Sequence, residues 1–558
     1  MEDREDLRSI LPFLPLLLRS SSLFWPSQVV EALKTLGRGP LHSLVDSGEL
    51  LFLAISDLRN SLCLSNQPLA PSVAQGYAFF FDELMSGVES KKWFEEAIPA
   101  LANLLLRLPS LLEEHYQSTG MVIDGERGAG LRLLNSQEAG IVFLSQELVA
   151  AFLCCSFFCL FPVNNRASKD LPMINFDGLF ASLYDDYSHN QENKIWCIIH
   201  YLKRISSDMP KGIVSFERKV LPFDGHHLQV SYPDANFWSA SVIPLCRFET
   251  HSSGRIEDQS GAAVEVDFAN KYLGGGALRR GCVQEEIRFM ISPELIVGML
   301  FLPSMAENEA IEIVGVERFS NYTGYASSFR FSGDYVDKRD VDELGRRKTW
   351  IVAVDALCGP GMRQYREKFL LREVNKAFCG FLSQSKCQPC QEILRENRCS
   401  SELVYASTST SMEASEGNSA DEILKHSQKS RPSTEQRDSI GIATGNWGCG
   451  AFGGDPEVKT IIQWLAASQA QWLLVHMFQA QRPFIAYYTF GLEALQNLDQ
   501  VADWILSHHW TVGDLWNMLV EYSTLRWKGE TNVGFFKWLL PSITEHDDVK
   551  DSPNILDS

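Results

Sequence analysis

The chain has 558 residues, 45% apolar and 22% charged, enough to bury a substantial core and to form two to four domains. Its net charge of −20 argues against a broad electrostatic grip on nucleic acid, which rests on a basic face and counterion release. Thirteen cysteines lack the even, regular spacing of a secreted disulfide framework and are read as reduced.

In chain order, the acidic start Met1-Glu-Asp-Arg-Glu-Asp6 lacks the positive charge of a signal peptide, and residues 10–18 carry two prolines, so secretion is not expected. Apolar residues then recur at helical spacing over 28–36, 93–106 and 194–202, which predicts an all-helical accessory region, 1–205, that buttresses the rest of the chain, with a separate binding role as the alternative. Its most apolar window, 148–161, is shorter than the roughly twenty residues a membrane-spanning helix needs and is expected to be a buried core helix. From about residue 212 the pattern changes to short β-rich runs at 213–221, 311–316, 349–357 and 484–490, separated by helical patterns such as 457–465. Strands alternating with helices imply an α/β domain, 206–545, with a mixed sheet covered on both faces and ligands bound where loops leave the strand ends. Residues 400–439, rich in Ser and Thr, read as a disordered insertion, and 546–558 as a flexible tail. A zinc site from Cys379, Cys387, Cys390 and Cys399 is disfavoured, because the one CxxC has no matching second pair. Arg346-Arg-Lys348 is too short to identify a nuclear signal.

Chemistry concentrates in Glu265-Val-Asp267-Phe-Ala-Asn270-Lys-Tyr-Leu-Gly274-Gly275-Gly276, followed after a short spacer by Gln284-Glu285-Glu286. Three glycines in succession remove every Cβ, allow positive φ, and let backbone N–H groups crowd around an anion such as a diphosphate. This is no Walker A loop: Gly276-Ala-Leu-Arg-Arg-Gly281 continues into Cys282-Val283, so the lysine and hydroxyl that magnesium nucleotide hydrolysis requires are missing. Asp267 and Asn270 taken alone are turn formers, and two acids in series most commonly start a helix. On a helix adjacent glutamates diverge by about 100°, so Glu285 and Glu286 suggest divided labour, unlike two carboxylates set on either side of one bond. For Glu286 to donate a proton near neutral pH its pKa must rise, through burial or the Glu285 charge, against the pull of a helix start. A second loop, Gly445-Asn446-Trp-Gly448-Cys-Gly450-Ala451-Phe452-Gly453-Gly454-Asp455, contains GxGxxG but lacks the later acidic residue of a dinucleotide unit. It is read as a nest plus helix N-terminus for phosphate.

Together these residues resemble the signature of the poly(ADP-ribose) glycohydrolases: three glycines, a short spacer and Gln-Glu-Glu, preceded by Val266-Asp-Phe-Ala-Asn270. The similarity runs from about residue 175 to about 522 and includes Tyr322-Thr-Gly-Tyr325, Val352-Ala-Val-Asp-Ala-Leu357, Asn375-Lys-Ala-Phe-Cys-Gly380 and the second glycine loop. The resemblance implies a macrodomain-like fold and hydrolysis of the ribose–ribose bonds of poly(ADP-ribose), mainly from chain ends, without metal or organic cofactor. It assigns acid/base catalysis to Glu286, substrate positioning to Glu285, and a requirement for activity to Asp267. Asn270 is implied at the ribose, Gly450, Ala451 and Phe452 at the diphosphate with Asn446 nearby, and Tyr325 and Phe490 at the adenine, whose amine Glu257 would meet. Gly274, Gly275, Gly276 and Gln284 complete the substrate-binding set. Implied partners are poly(ADP-ribose) and proteins that carry it, with no membrane and no sequence-specific nucleic acid; the implied compartments are the nucleus and, second, the cytoplasm. Arg279 and Arg280 depart from the small or uncharged residues the family tends to have in this spacer, and a solvent-facing position is favoured for both. A non-catalytic macrodomain reader would keep both glycine loops but has no need of Gln-Glu-Glu, and an enzyme removing mono-ADP-ribose would need a more open pocket.

Overall fold

The helical spacings of the first 205 residues lie in helices: 28–36 within Ser27–Gly37, 93–106 in a π-helical turn running into Ile98–Ser118, and 194–202 within α2, His189–Ser207. The apolar window lies largely in α1, Gln146–Phe157, where every residue but Glu147 is buried. Among the described residues no helix is long and apolar enough to cross a membrane. The computed structural model describes residues 3–118, 122–123, 126–127, 130–223, 231–259, 263–382, 441–478 and 484–541. The expected insertion at 400–439, the tail at 546–558, and Cys387, Cys390 and Cys399 lie outside the described residues.

Among the described residues eight strands form one mixed sheet: β1 Gly140–Ser145, β2 Ile213–Val220, β3 Arg247–His251, β4 Ala263–Asp267, β5 Glu309–Gly315, β6 Arg347–Ala353, β7 Gly441–Gly445 and β8 Phe484–Tyr488. Their spatial order is β1-β2-β5-β6-β4-β7-β8-β3. Pairing is antiparallel from β1 to β6 and parallel from β6 through β4, β7 and β8 to β3. The four β-rich runs read from sequence are thus strands, although 354–357 leaves the sheet as loop.

The accessory region is not all helix. Residues 17–24 make a small hairpin, and β1 pairs with β2 from Gly140 opposite Arg218 to Ser145 opposite Ile213. The six-residue β1 run Gly-Ile-Val-Phe-Leu-Ser is short and directly precedes an apolar helix, so its alternation of buried Val142 and Leu144 is masked by the helical period beside it. The change of pattern near residue 205 also does not divide the core. One apolar cluster runs from Leu7 through α1 and α2 to Phe216, Ile313 and Ile351 on the sheet. The opposite face carries Val266, Val352, Ile442 and Ile485 against α4, Glu367–Phe381, and α5, Pro456–Phe478. Each fully buried Leu, Ile or Phe contributes about 1.5–3 kcal/mol, so the helices and the sheet stabilise each other.

Strand β4 shows how the period of two positions the site. Val264 and Val266 face the second cluster, while Glu265 and Asp267 face the other way, beneath α3, Gln284–Ile291.

Candidate active site

Because β6, β4, β7 and β8 run parallel, the loops leaving their carboxyl ends, 354–366, 268–283, 446–455 and 489–492, gather at one edge of the sheet. This is where open α/β sheets bind ligands.

The loop 268–283 returns the chain from β4 to α3 and is tied at its base by Gln284. The side-chain oxygen of Gln284 accepts from Phe268 N–H (2.8 Å) and its amide donates to Val266 C=O (3.2 Å), so both polar ends serve the backbone at the end of β4. Glu285 accepts from Asn270 N–H (2.9 Å) and Gly274 N–H (2.7 Å). Glu286 accepts from Gly276 N–H (3.0 Å) and Val283 N–H (2.9 Å). The remaining glycine, Gly275, donates its N–H to Tyr272 C=O. The expectation that this triplet holds a ligand's anion is therefore corrected: its N–H groups are taken by the chain, two of them by the protein's own carboxylates. The helix start brings those carboxylates back under the loop.

Nor do the two glutamates simply diverge. A Cβ on Gly275, whose φ is +48°, would lie 2.6 Å from Glu285 Oε2 and 2.8 Å from Glu286 Oε1, so both carboxylates border this one exposed residue. Gly281 closes the other side, where a Cβ would fall 2.8 Å from Glu286 Cδ. Asn270 Oδ1 accepts from Tyr272 N–H (3.0 Å), the turn expected of it.

Asp267 ends β4 behind the pair. It is fully buried, and among the described residues neither carboxyl oxygen has a hydrogen-bond partner. Burial, and then the Glu286 charge, push its pKa up to about 8, against the opposing pull of Arg288, so it keeps its proton at neutral pH. Burial pushes Glu285 well above the usual carboxylate range too, helped by Asp267 and Glu286 and opposed by the Asn270 and Gly274 N–H groups. For Glu285, burial outweighs the preference of a helix start for an anion.

Beneath them Arg288 donates to Glu265 Oε2 from Nε (3.1 Å) and Nη2 (2.9 Å), and Arg339 meets Glu265 Oε1 (2.9 Å). This pins α3 to β4. Arg288→Met is expected to destabilise the fold by about 3–5 kcal/mol, as breaking one side of a buried pair does, read from denaturant unfolding. A cost below about 1 kcal/mol would mean that Arg339 alone satisfies Glu265.

At the neighbouring strand ends, Asn446 donates to Thr489 C=O (2.9 Å) and accepts from Tyr487 OH (3.3 Å), joining the loops after β7 and β8. Phe490 is half exposed and holds a φ of +51°, a conformation that costs a bulky residue energy and marks functional loops. The second glycine loop closes its turns with the N–H groups of Cys449, Gly453 and Gly454. Those of Gly450, Ala451 and Phe452 donate no hydrogen bond among the described residues, and Gly450 and Ala451 are exposed. The start of α5, by contrast, is capped by Asp455 Oδ1, which accepts from Glu457 and Val458 N–H (3.0 and 3.2 Å). Among the described residues the N–H groups left open to an anion are thus at the loop tip and not at the helix N-terminus.

Tyr325 is 54% exposed, next to Gly324, where a Cβ would meet Ser328 C=O at 1.9 Å. Tyr322 of the same run is buried and donates its hydroxyl to Glu257. Glu257, Asp267 and Gln284 come together with Glu265 and Arg288. Arg279 and Arg280 are both exposed, as favoured, and Arg280 meets Asp186 at 2.8 Å.

Two features were not foreseen. Asp355, Arg372, Glu373, Lys376 and Lys459 form a buried ionic cluster under the second glycine loop, where a Cβ on Gly448 would stand 3.3 Å from Lys459 Nζ. Asp355, inside the Val352–Leu357 run, was the available signal. The second is Lys194 of α2, which sits with Ile198, Tyr201 and Ile205 on the buried stripe of that helix and reaches the loop 276–283. Among the described residues no group of three or more His, Cys, Asp or Glu is arranged to hold a metal ion.

Three buried carboxyl groups and two glycine loops at the carboxyl edge of a mixed sheet mark the chain as a macro-fold enzyme. Residues 235–497 match the family model of the poly(ADP-ribose) glycohydrolase macro domain fold, and 85–218 that of its helical domain. The chain is 58% identical to poly(ADP-ribose) glycohydrolase 1 of Arabidopsis thaliana, over 97% of its own length and 98% of that protein. It is 53% identical to probable poly(ADP-ribose) glycohydrolase 2 of the same plant over 98% and 100%, and 31% identical to poly(ADP-ribose) glycohydrolase 1 of Caenorhabditis elegans over 50% and 30%. The chain belongs to the poly(ADP-ribose) glycohydrolase family.

Proposed function

We propose that the chain hydrolyses the ribose–ribose O-glycosidic bonds of poly(ADP-ribose), mainly from chain ends, with Glu286 as general acid and base. The observation that carries this assignment is the order of the three carboxyl groups. Glu286 is 7% exposed at the open side of the loop, with Glu285 at 2% and Asp267 at 1% behind it. As the glycosidic bond breaks, Glu286 gives its proton to the leaving 2′ oxygen and the ribose becomes oxocarbenium-like. Water then adds to the anomeric carbon and returns a proton to Glu286, so one water is consumed and the carboxyl ends as it began. Glu285 positions the ribose through the loop it holds, since its oxygens accept from Asn270 and Gly274.

The N–H groups of Gly450, Ala451 and Phe452, which donate no hydrogen bond among the described residues, suit the diphosphate, which in turn stabilises the charge on the ribose. Phe490 and Tyr325 offer exposed ring faces to adenine, and Glu257 an acceptor for its amine. Proteins carrying the polymer are then partners through the polymer itself, held locally by a chain whose net charge is −20.

The test is to incubate the purified protein with poly(ADP-ribose) from about pH 6 to about pH 10 and follow free ADP-ribose by chromatography. Release is expected at neutral pH, falling as pH rises through about 8, where Asp267 loses its proton and adds a charge facing Glu286. Binding without release at any pH would leave a macrodomain reader. A rate undiminished at about pH 10 would remove the protonated cluster from the mechanism.

A further inference from the structure

We infer that Lys194, in the helical region, is a positioning residue for Glu286, and that α2 is part of the frame of the active site. The inference rests on the reading of Glu286 as general acid and base. Lys194 is fully buried, and its ammonium donates to Arg279 C=O and Gly281 C=O, both at 2.6 Å. Those carbonyls lie in the middle of the loop whose two ends, Gly276 and Val283, donate to the Glu286 carboxylate. Gly281 itself packs on that carboxylate. One side chain, far away in sequence, thus fixes the segment that fixes the acid.

The same helix supports a second wall. Asn190 donates to Ala326 C=O (3.2 Å), beside Tyr325, and Asn193 accepts from Phe331 N–H (2.9 Å) in the strand after it. The exposed Arg280 to Asp186 pair spans the same junction but, in water, is worth little. Lys194 is different, because a lysine surrounded by apolar helix residues is retained only where carbonyls and charge compensate its burial. Burial lowers its pKa to about 8, opposed by Cys282, Glu286 and Cys197, the titratable groups that face it from the loop, from α3 and from its own helix.

The test compares Lys194→Met with Ile198→Ala, which opens a cavity one turn along the same buried stripe but removes neither of the Lys194 hydrogen bonds to the loop. Three quantities are read: kcat and KM on poly(ADP-ribose), ADP-ribose affinity, and amide hydrogen exchange over 276–283. Lys194→Met is expected to lower kcat by about 10²-fold, the cost of misplacing a catalytic group by about 1 Å, and to speed exchange at Gly276 and Val283. ADP-ribose affinity stays within about threefold, because diphosphate and adenine are held elsewhere. Ile198→Ala, which leaves both Lys194 hydrogen bonds in place, is expected to leave exchange at Gly276 and Val283 at the wild-type rate. Lys194→Arg, which keeps charge and donors, restores part of kcat. Should the Met variant fail to fold, Lys194→Gln, able to serve one carbonyl, is read in the same way. Wild-type kcat and wild-type exchange in the Met or Gln variant would overturn the inference. Wild-type protein that releases no ADP-ribose would instead overturn the reading of Glu286, and exchange over 276–283 would still decide whether Lys194 holds the loop.

Discussion

Replacing Glu286 by Gln is expected to lower kcat on poly(ADP-ribose) by at least about 10³-fold while ADP-ribose affinity stays within about threefold. The amide cannot give a proton to the leaving 2′ oxygen, and it cannot take one from water in the second half of the reaction. It also changes the loop. Glu286 presents an acceptor to both Gly276 and Val283 N–H, whereas Gln can accept from only one and turns its NH2 towards the other. Part of the loss is therefore positional, and Glu286→Asp separates the two effects by keeping the carboxyl and withdrawing it by one methylene. If the Gln variant hydrolysed polymer within about tenfold of the wild type, Glu286 would not be the acid, and Asp267, with its proton at neutral pH, would be the group to test next.

Gly275→Ala is expected to reduce kcat/KM by about 10²-fold or more with only a modest fall in Tm. The φ of +48° already costs an L-residue about 1–2 kcal/mol. The larger effect is steric: the new methyl carbon would stand 2.6 Å from Glu285 Oε2 and 2.8 Å from Glu286 Oε1, and Asn270 Cβ lies 3.4 Å away. Both carboxylates must then shift, in a site where displacements of this size decide the rate. Because Gly275 is exposed, the strain falls on the site and not on the core. The measurement is steady-state kinetics beside a thermal melt. A variant with normal kcat would show that the carboxylates can move apart without penalty, and the tight loop would lose its catalytic meaning.

Much of this site was legible in the sequence, though not its wiring. The spacing of Asp267, the three glycines and Gln284-Glu285-Glu286 marked them as one unit, and the tertiary structure brings them together. What the residues could not reveal was which acceptor the glycine N–H groups serve. Any anion satisfies a nest, and only the path of the chain from β4 to α3 sets Glu285 and Glu286 beneath it in place of a ligand. The helix N-terminus expected to take phosphate at α5 is closed for a similar reason. Asp455 could have pointed away, yet it turns back onto Glu457 and Val458 and closes the helix start.

Composition and period by themselves determined that this is an α/β chain with a helical region before it, because apolar spacing of 3.6 and of 2 decides which face of a helix or strand is buried. Local motif spacing determined which residues would share a site, because those residues are close along the chain. Tertiary structure alone decided that β1 leaves the helical region to join the sheet, that one core serves both regions, and that Lys194 and the Lys459 cluster stand under the two glycine loops. It also decided that Asp267 keeps its proton, because burial and a facing carboxylate are properties of packing that no spacing in the chain records.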